Sequence, residues 1–441
     1  MNNIDFQNKD FNIPELSPEL LRGSKWLKDK RETARNDFNK APLPPRNLHL
    51  WRYTDPEQLM FDINSANETS FGENYDNVVK LEKKHLEEGS LSGLVTDIGG
   101  RDINFYGFEK LTAQGIIACK LSDAFEKHNN LVEKYLYRLV NNKTGKFEAM
   151  NGALWNDGIF LYIPKNLKIE HPIHLLREAG LHNSVTFPRL LVVVGENSEL
   201  TLIDEYGGGS QNMEQGLSFS NSAVEIFGLQ NSRTRYVSLQ RQTSAMNSFL
   251  THRAHLEHDA QMLTLPFVFG SSLTKQNFGI ELTGDGANSN IYGLLFGSNR
   301  QHLDNHTFHH HTASNTTSDI NFKVVLKDKA LSAYTGLIKI ETGAKNCEAF
   351  QENRNLLLNK GTKAETIPEL EILNEEVSCS HGATIGPIDE ETIFYLNARG
   401  IDKDNAVKMI VSGFMETTLR KTPEDLKERL TGFLEQRLEN I

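Results

Sequence analysis

Residues 249–296, FLTHRAHLEHDAQMLTLPFVFGSSLTKQNFGIELTGDGANSNIYGLLF, hold four short apolar runs at 249–256, 262–269, 278–282 and 291–296, separated by polar corners. Each run has the length of a strand, and Gly, Asn, Asp and Ser punctuate the gaps, so the stretch reads as successive β-strands. The same texture continues upstream at 159–162, 173–176, 190–194, 200–203, 224–229 and 235–239, and downstream at 322–326, 337–340 and 370–373. No long helical pattern interrupts the series. A β-sandwich shows hairpin turns and strict alternation, whereas a stacked coil shows short strands with irregular polar corners. The texture permits the coil. Period alone does not decide, because no exact repeat is visible.

Helical patterns flank this region. Residues 1–150 read as a mostly helical N-terminal region with some short strands. One helix is predicted over 17–40, with Ser17 as N-cap and Pro18 in the first position. A second runs from Ser122 or Asp123 to about Val140, with Leu131, Tyr135, Leu136 and Leu139 as its apolar stripe. The strand-rich core occupies 151–386, and 387–441 form a helical domain. Its first helix is capped by Asp389 and ends at Gly400, its second starts at Asp402, and its third is capped by Thr422 with Pro423 at the first helical position. Such a unit can close one end of a coil or dock a partner.

The chain has 441 residues and a net charge of −11, with no Lys/Arg-rich run, which argues against nucleic acid as a partner. No apolar stretch reaches membrane-spanning length and the polar N-terminus lacks the blocks of a signal peptide, so a cytoplasmic location without membrane attachment is expected. Three cysteines, Cys119, Cys347 and Cys379, are too few and too scattered for a disulfide framework. They are also too few for this chain alone to supply a four-cysteine metal site. There is no G-x-x-x-x-G-K-[ST] phosphate loop, and Gly207-Gly208-Gly209 reads as a flexible corner rather than a nucleotide cradle.

Cys379-Ser380-His381-Gly382-Ala383-Thr384 puts a thiol and an imidazole at i and i+2, hence on one face of a strand. Such a pair can hold a soft metal or a sulfur species. Thirteen residues on from His381 comes Phe394-Tyr395-Leu396-Asn397-Ala398-Arg399-Gly400. Together these stretches resemble the signature of the SufB/SufD family, iron-sulfur cluster assembly scaffold subunits, and within it the SufD branch. Trp51-Arg52-Tyr53-Thr54, the 154–165 stretch, His171-Pro172-Ile173, Pro188-Arg189, Glu205-Tyr206 and 307–323 with His311, Ser318 and Lys323 extend the resemblance over roughly 120–420, with the tryptophan element ahead of it. Gly382 stands where SufB has a glutamate, which favours SufD.

The resemblance implies a mainly β fold with α: a right-handed parallel β-helix core between an N-terminal α/β region and a C-terminal helical domain. It implies a non-catalytic scaffold serving iron-sulfur cluster assembly and iron acquisition. Its partners would be SufB, paired through the β-helix core, and the ABC-type ATPase SufC, bound by the C-terminal helices. A homodimer is allowed for the isolated chain. His381 would lie at the SufB interface as a transient metal ligand shared with SufB, and its ordinary pKa of about 6.5 also suits proton transfer. Cys379 is included beside it. Phe394, Tyr395, Arg399 and Gly400 are assigned to SufC. No cofactor is expected to bind this chain stably alone; an iron-sulfur cluster or iron would be shared with SufB, and the complex leaves room for a reduced flavin.

Two other readings stand beside this one. His302, Asp304, His306, His309, His310 and His311 are ligand-type residues, and His309 and His311 share a strand face, so a histidine metalloenzyme with an acid at Asp304 is an alternative. The run itself reads as polar coil. Parallel β-helices also act on polysaccharides, but no acidic pair at suitable spacing is evident. His252 and His258 fall on a face opposite His255, which disfavours a three-ligand cluster there.

Overall fold

The computed structural model describes residues 12–61, 73–179, 184–208, 217–422 and 424–439. Its strands are β1 (Gly93–Ile98), β2 (Asp102–Tyr106), β3 (Ile117–Lys120), β4 (Ile159–Ile163), β5 (Ile173–Ala179), β6 (Val185–Thr186) and β7 (Arg189–Val194). Next come β8 (Glu199–Gly208), β9 (Ser218–Gly228), β10 (Arg233–Gln240), β11 (Met246–Leu256), β12 (Gln261–Val268), β13 (Leu273–Leu282) and β14 (Asn288–Gly297). The last are β15 (His302–His311), β16 (Thr317–Leu326), β17 (Leu331–Ile340), β18 (Cys347–Leu357), β19 (Lys363–Ile372) and β20 (Val377–Pro387). From β7 onward they alternate between two sheets: even-numbered strands from β8 to β20 build sheet A, odd-numbered ones from β7 to β19 build sheet B. Every pairing along that path is parallel, so the chain winds as a parallel β-solenoid.

Corner residues hold the coils in register. Asn166, Asn197, Asn231, Asp259, Asn315 and Asn346 all take positive φ at one corner, a left-handed conformation that Asn and Asp tolerate. Their side chains form ladders: Asn197 Nδ2 donates to Asn166 Oδ1 (2.8 Å), and Asn231 Nδ2 to Asn197 Oδ1 (2.7 Å). The repeat absent from the letters is thus present as one backbone conformation recurring once per coil.

Apolar side chains fill the lumen between the sheets, from Val95 through Ile226, Ile280 and Ile338 to Ala364. The outer faces are covered as well. The N-terminal region packs Trp51 and Phe147 against Phe219 and Phe249 of sheet B. Sheet A carries Phe267, Phe296 and Val325 against the C-terminal helices. Burial on both faces accounts for near-continuous apolar runs instead of strict alternation. Sheet A also starts ahead of the strand-rich stretch, since β1 pairs with β5 in parallel and with β2 antiparallel.

The helices are α1 (Lys25–Lys40), α2 (Glu73–Glu87), α3 (Glu109–Ala113), α4 (Leu121–Lys127), α5 (Asn129–Tyr135), α6 (Lys146–Leu154), α7 (Glu390–Asn397), α8 (Lys403–Leu419) and α9 (Glu424–Glu439). The helix expected over 17–40 starts at Lys25, capped by Ser24, because Gly23 at φ 98° breaks the run after Ser17. The helix expected to reach Val140 is two short ones that end at Tyr135. Beyond it, the Glu225 carboxylate accepts the backbone N–H groups of Tyr137 (3.0 Å), Leu139 (2.8 Å) and Val140 (3.2 Å), which fastens this segment to β9 as a loop. Asp389 and Asp402 cap α7 and α8 as expected, accepting from Glu391 N (3.1 Å) and Asn405 N (3.0 Å). Pro423 lies outside the described residues.

The C-terminal helices do not close the end of the coil. Val411, Met415, Leu419, Leu430 and Leu434 lie in one cluster with the outer face of sheet A, because that face is itself apolar. Among the described residues nothing covers the last coil.

Candidate functional site

Among the described residues, β20 pairs with β18 alone and β19 with β17 alone, so each presents a free edge. In β18, Cys347, Ala349, Gln351, Asn353 and Asn355 are buried toward the lumen. Their register partners in β20 are Val377, Cys379, His381, Ala383 and Ile385. These point the same way, but no coil follows, and from Ser380 to Ile385 the strand is exposed. Cys379 and His381 therefore share a face at the mouth of the solenoid.

The two differ in access. Cys379 is half-buried against the lumen cluster, and burial pushes its thiol above the ordinary value, which keeps it protonated at neutral pH. His381 is exposed. Beside it, Gln351 donates from Nε2 to Gly336 O (3.3 Å). An imidazole at an open edge is available to a second chain without any rearrangement of this one.

The His302–His311 run forms strand β15 rather than polar coil, and the strand splits its ligand-type residues between two faces. His309 and His311 enter the lumen, where His309 Nε2 meets Ser289 Oγ (3.0 Å) and His311 meets Thr316 Oγ1 (2.8 Å) and Ser318 Oγ (2.9 Å). Burial pushes His309 well down and His311 down to about 4, so both are neutral members of a hydroxyl network. Asp304 lies on the opposite face, so the proposed acid cannot join them. Among the described residues, no three of His, Cys, Asp and Glu converge to hold a metal ion. His252 is likewise inside, against Tyr236 and Phe278, and His255 faces outward; His258 lies beyond the end of β11.

Asp304 anchors the Trp51 element instead. Lys275 Nζ lies 2.8 Å from its carboxylate, and His306 Nε2 lies 2.7 Å from it. Thr54 donates to Asp304, and Lys275 donates to Leu50 O and sits 4.8 Å from the Trp51 ring centroid. Burial alone would raise the Asp304 carboxyl; Lys275 and His306 outweigh it and hold the group well below the carboxylate range. The segment is a strap across sheet B. A second buried pair, Arg189 with Glu225 at 2.6 Å, ties β7 to β9, and Arg189 also donates to Asn151 Oδ1 (3.0 Å) and Val140 O (2.8 Å). Sequence reasoning singled out Arg189 only through its resemblance; its partner Glu225, in an apolar run, carried no signal.

On α7, Phe394 is 74% exposed and Tyr395 54%. The Arg399 guanidinium lies 3.4 Å from the Tyr395 ring centroid, and Gly400 takes φ 85° where the chain leaves the helix. Ile393, with the half-buried Leu396 beside it, packs α7 inward. An apolar, cationic surface is thus presented on a helix whose attachment does not depend on it. No helix of the described residues is long and apolar enough to cross a membrane.

Comparison with known proteins agrees with this architecture. A family model described as the SufBD core domain of SUF-system iron-sulfur cluster assembly matches residues 176–414, and one for the SufBD N-terminal region matches 20–175. The likeness thus extends well ahead of residue 120. An iron-sulfur cluster assembly SufBD family protein of Staphylococcus epidermidis is 26% identical over 436 residues, 97% of this chain and 92% of the relative. One from Staphylococcus saprophyticus is 26% identical over 437 residues, with the same coverage of 97% and 92%. One from Staphylococcus aureus is 26% identical over 435 residues, again 97% and 92%. With both parts of the solenoid protein matched along nearly its whole length, the chain belongs to the SufBD family of iron-sulfur cluster assembly proteins.

Proposed function

We propose that this chain is the SufD-type scaffold of a SufBCD complex and that its open coil end is the seam with SufB. The observation that carries the reading is the uncovered edge of β19 and β20 with His381 upon it. Edge strands of ten and eleven residues expose rows of N–H and C=O groups that favour pairing with another chain. A partner strand laid there brings its own side chains against His381. The imidazole then shares iron, or a nascent cluster, with a thiol of SufB, or passes a proton as the cluster forms. The cluster is cargo at this seam. Cys379, protonated and half-buried, supports the seam from beneath rather than acting as a nucleophile.

SufC binds α7 through Phe394, Tyr395, Arg399 and Gly400 and supplies the ATP turnover that this chain lacks. The chain itself is not catalytic, works in the cytoplasm in cluster assembly and iron acquisition, and pairs with itself when SufB is absent. Gly382 after His381 favours the SufD reading over SufB. Coexpression of the chain with SufB and SufC tests the assignment: a stable three-component complex is expected on purification, and failure to retain either partner refutes it.

A further inference from the structure

The corner at which sheet A passes the chain to sheet B repeats once per coil and forms the wall of a groove. Arg241 follows β10, Ser272 follows β12, Ser298 and Arg300 follow β14, and Asp328 and Lys329 follow β16. From the far side, α9 brings in Arg437, whose guanidinium donates to Phe269 O and Ser298 Oγ (3.5 Å). The groove encloses about 870 Å³.

Its charge runs against that of the chain, which is −11 overall. Arg241 is neutralised by Glu205 at 2.5 Å. The side chains of Arg300 and Lys329 are exposed and make no ion pair or hydrogen bond among the described residues. Among the described residues Arg437 meets only uncharged oxygens. Asp328 is the one carboxylate in the described lining, and it bridges to the preceding coil's corner, where Oδ2 accepts the N–H of Asn299 (2.9 Å). Three cations without carboxylate partners among the described residues thus line a concavity of nucleotide size. Two guanidinium forks and an ammonium match the oxygens of a phosphate, and hydroxyls and carboxamides along the same wall suit a polar sugar. A single inorganic ion would leave most of the volume unused.

We propose that this corner groove binds a phosphorylated small molecule of nucleotide size, with Arg300, Lys329 and Arg437 on its phosphate. The site is on the side of the solenoid, reaching at Asn359 the corner between β18 and β19, and does not depend on the assignment of the strand edge to SufB. Isothermal titration of the isolated full-length chain with ADP, pyrophosphate and adenosine tests it. ADP and pyrophosphate are expected to bind at one saturable site that weakens with added salt, and adenosine is expected to give no heat. The double variant Arg300→Ala, Lys329→Ala should weaken ADP at least tenfold while the ligand-free melting temperature is unchanged, because both side chains are exposed. Arg437→Gln should weaken it further; if it loosens α9, the double variant still decides. Absence of saturable ADP binding, adenosine binding as tightly as ADP, or equal affinity in the double variant would overturn the proposal.

Discussion

Gln351 and His381 are register partners on β18 and β20, so a buried carboxamide lies beside an exposed imidazole at the last step of the sheet. Among the described residues nothing covers the imidazole, and its removal leaves the packing below intact. His381→Ala should therefore leave complex formation unchanged and lower the activity of cluster-dependent enzymes in cells by about tenfold or more, as expected for a lost metal-site group. Wild-type activity in the variant would exclude the role given to His381.

Arg189→Met leaves the fully buried Glu225 carboxylate without its counter-charge, held only by backbone N–H groups among the described residues. Breaking such a pair costs about 3–5 kcal/mol. Urea denaturation should show a correspondingly lower midpoint, and replacing Glu225 with Gln in the same chain should recover part of the loss.

Acid should destabilise the lumen. Burial holds His311 at about 4 and His252 at about 3, against an ordinary 6.5. A base whose folded pKa lies below its unfolded one binds fewer protons when folded, so its contribution is whole above pH 6.5 and is lost as pH falls toward 4. For His311 the full loss is about 3 kcal/mol. Denaturant melts at intervals between pH 7 and pH 4 should show this slope, and His311→Gln should flatten it.

Phe394→Ser with Arg399→Glu should abolish retention of SufC. Both side chains are exposed, so folding stability should move by no more than about 0.5 kcal/mol. A variant that still retains SufC would move the ATPase contact elsewhere.

Asp304→Asn leaves Lys275 without its counter-charge beneath the Trp51 strap. Stability should fall by about 3–5 kcal/mol. Limited trypsin digestion should then cut at Arg46 or Arg52 faster than in the unchanged protein.

Much of the fold was legible because local chemistry wrote it. Asp389 and Asp402 marked their helices through side chains that accept the first free N–H groups, and the Gly, Asn and Asp corners marked the strand ends. The break near Tyr137 was not legible, since the acceptor that fastens the segment, Glu225, lies 88 residues away. Helix α6 escaped for a different reason: buried on nearly every side, it has no apolar stripe to read.

The sequence alone determined the family signature, the succession of strands, the capped helices and the pairing of Cys379 with His381 on one face, all properties of neighbours along the chain. Only the tertiary structure decided that His309 and His311 lie inside the solenoid while Asp304 lies outside, and that the C-terminal helices cover sheet A and leave β20 bare. Alternation along a strand tells which residues share a face, but which face meets solvent depends on what packs against it, and here both faces of most strands are covered.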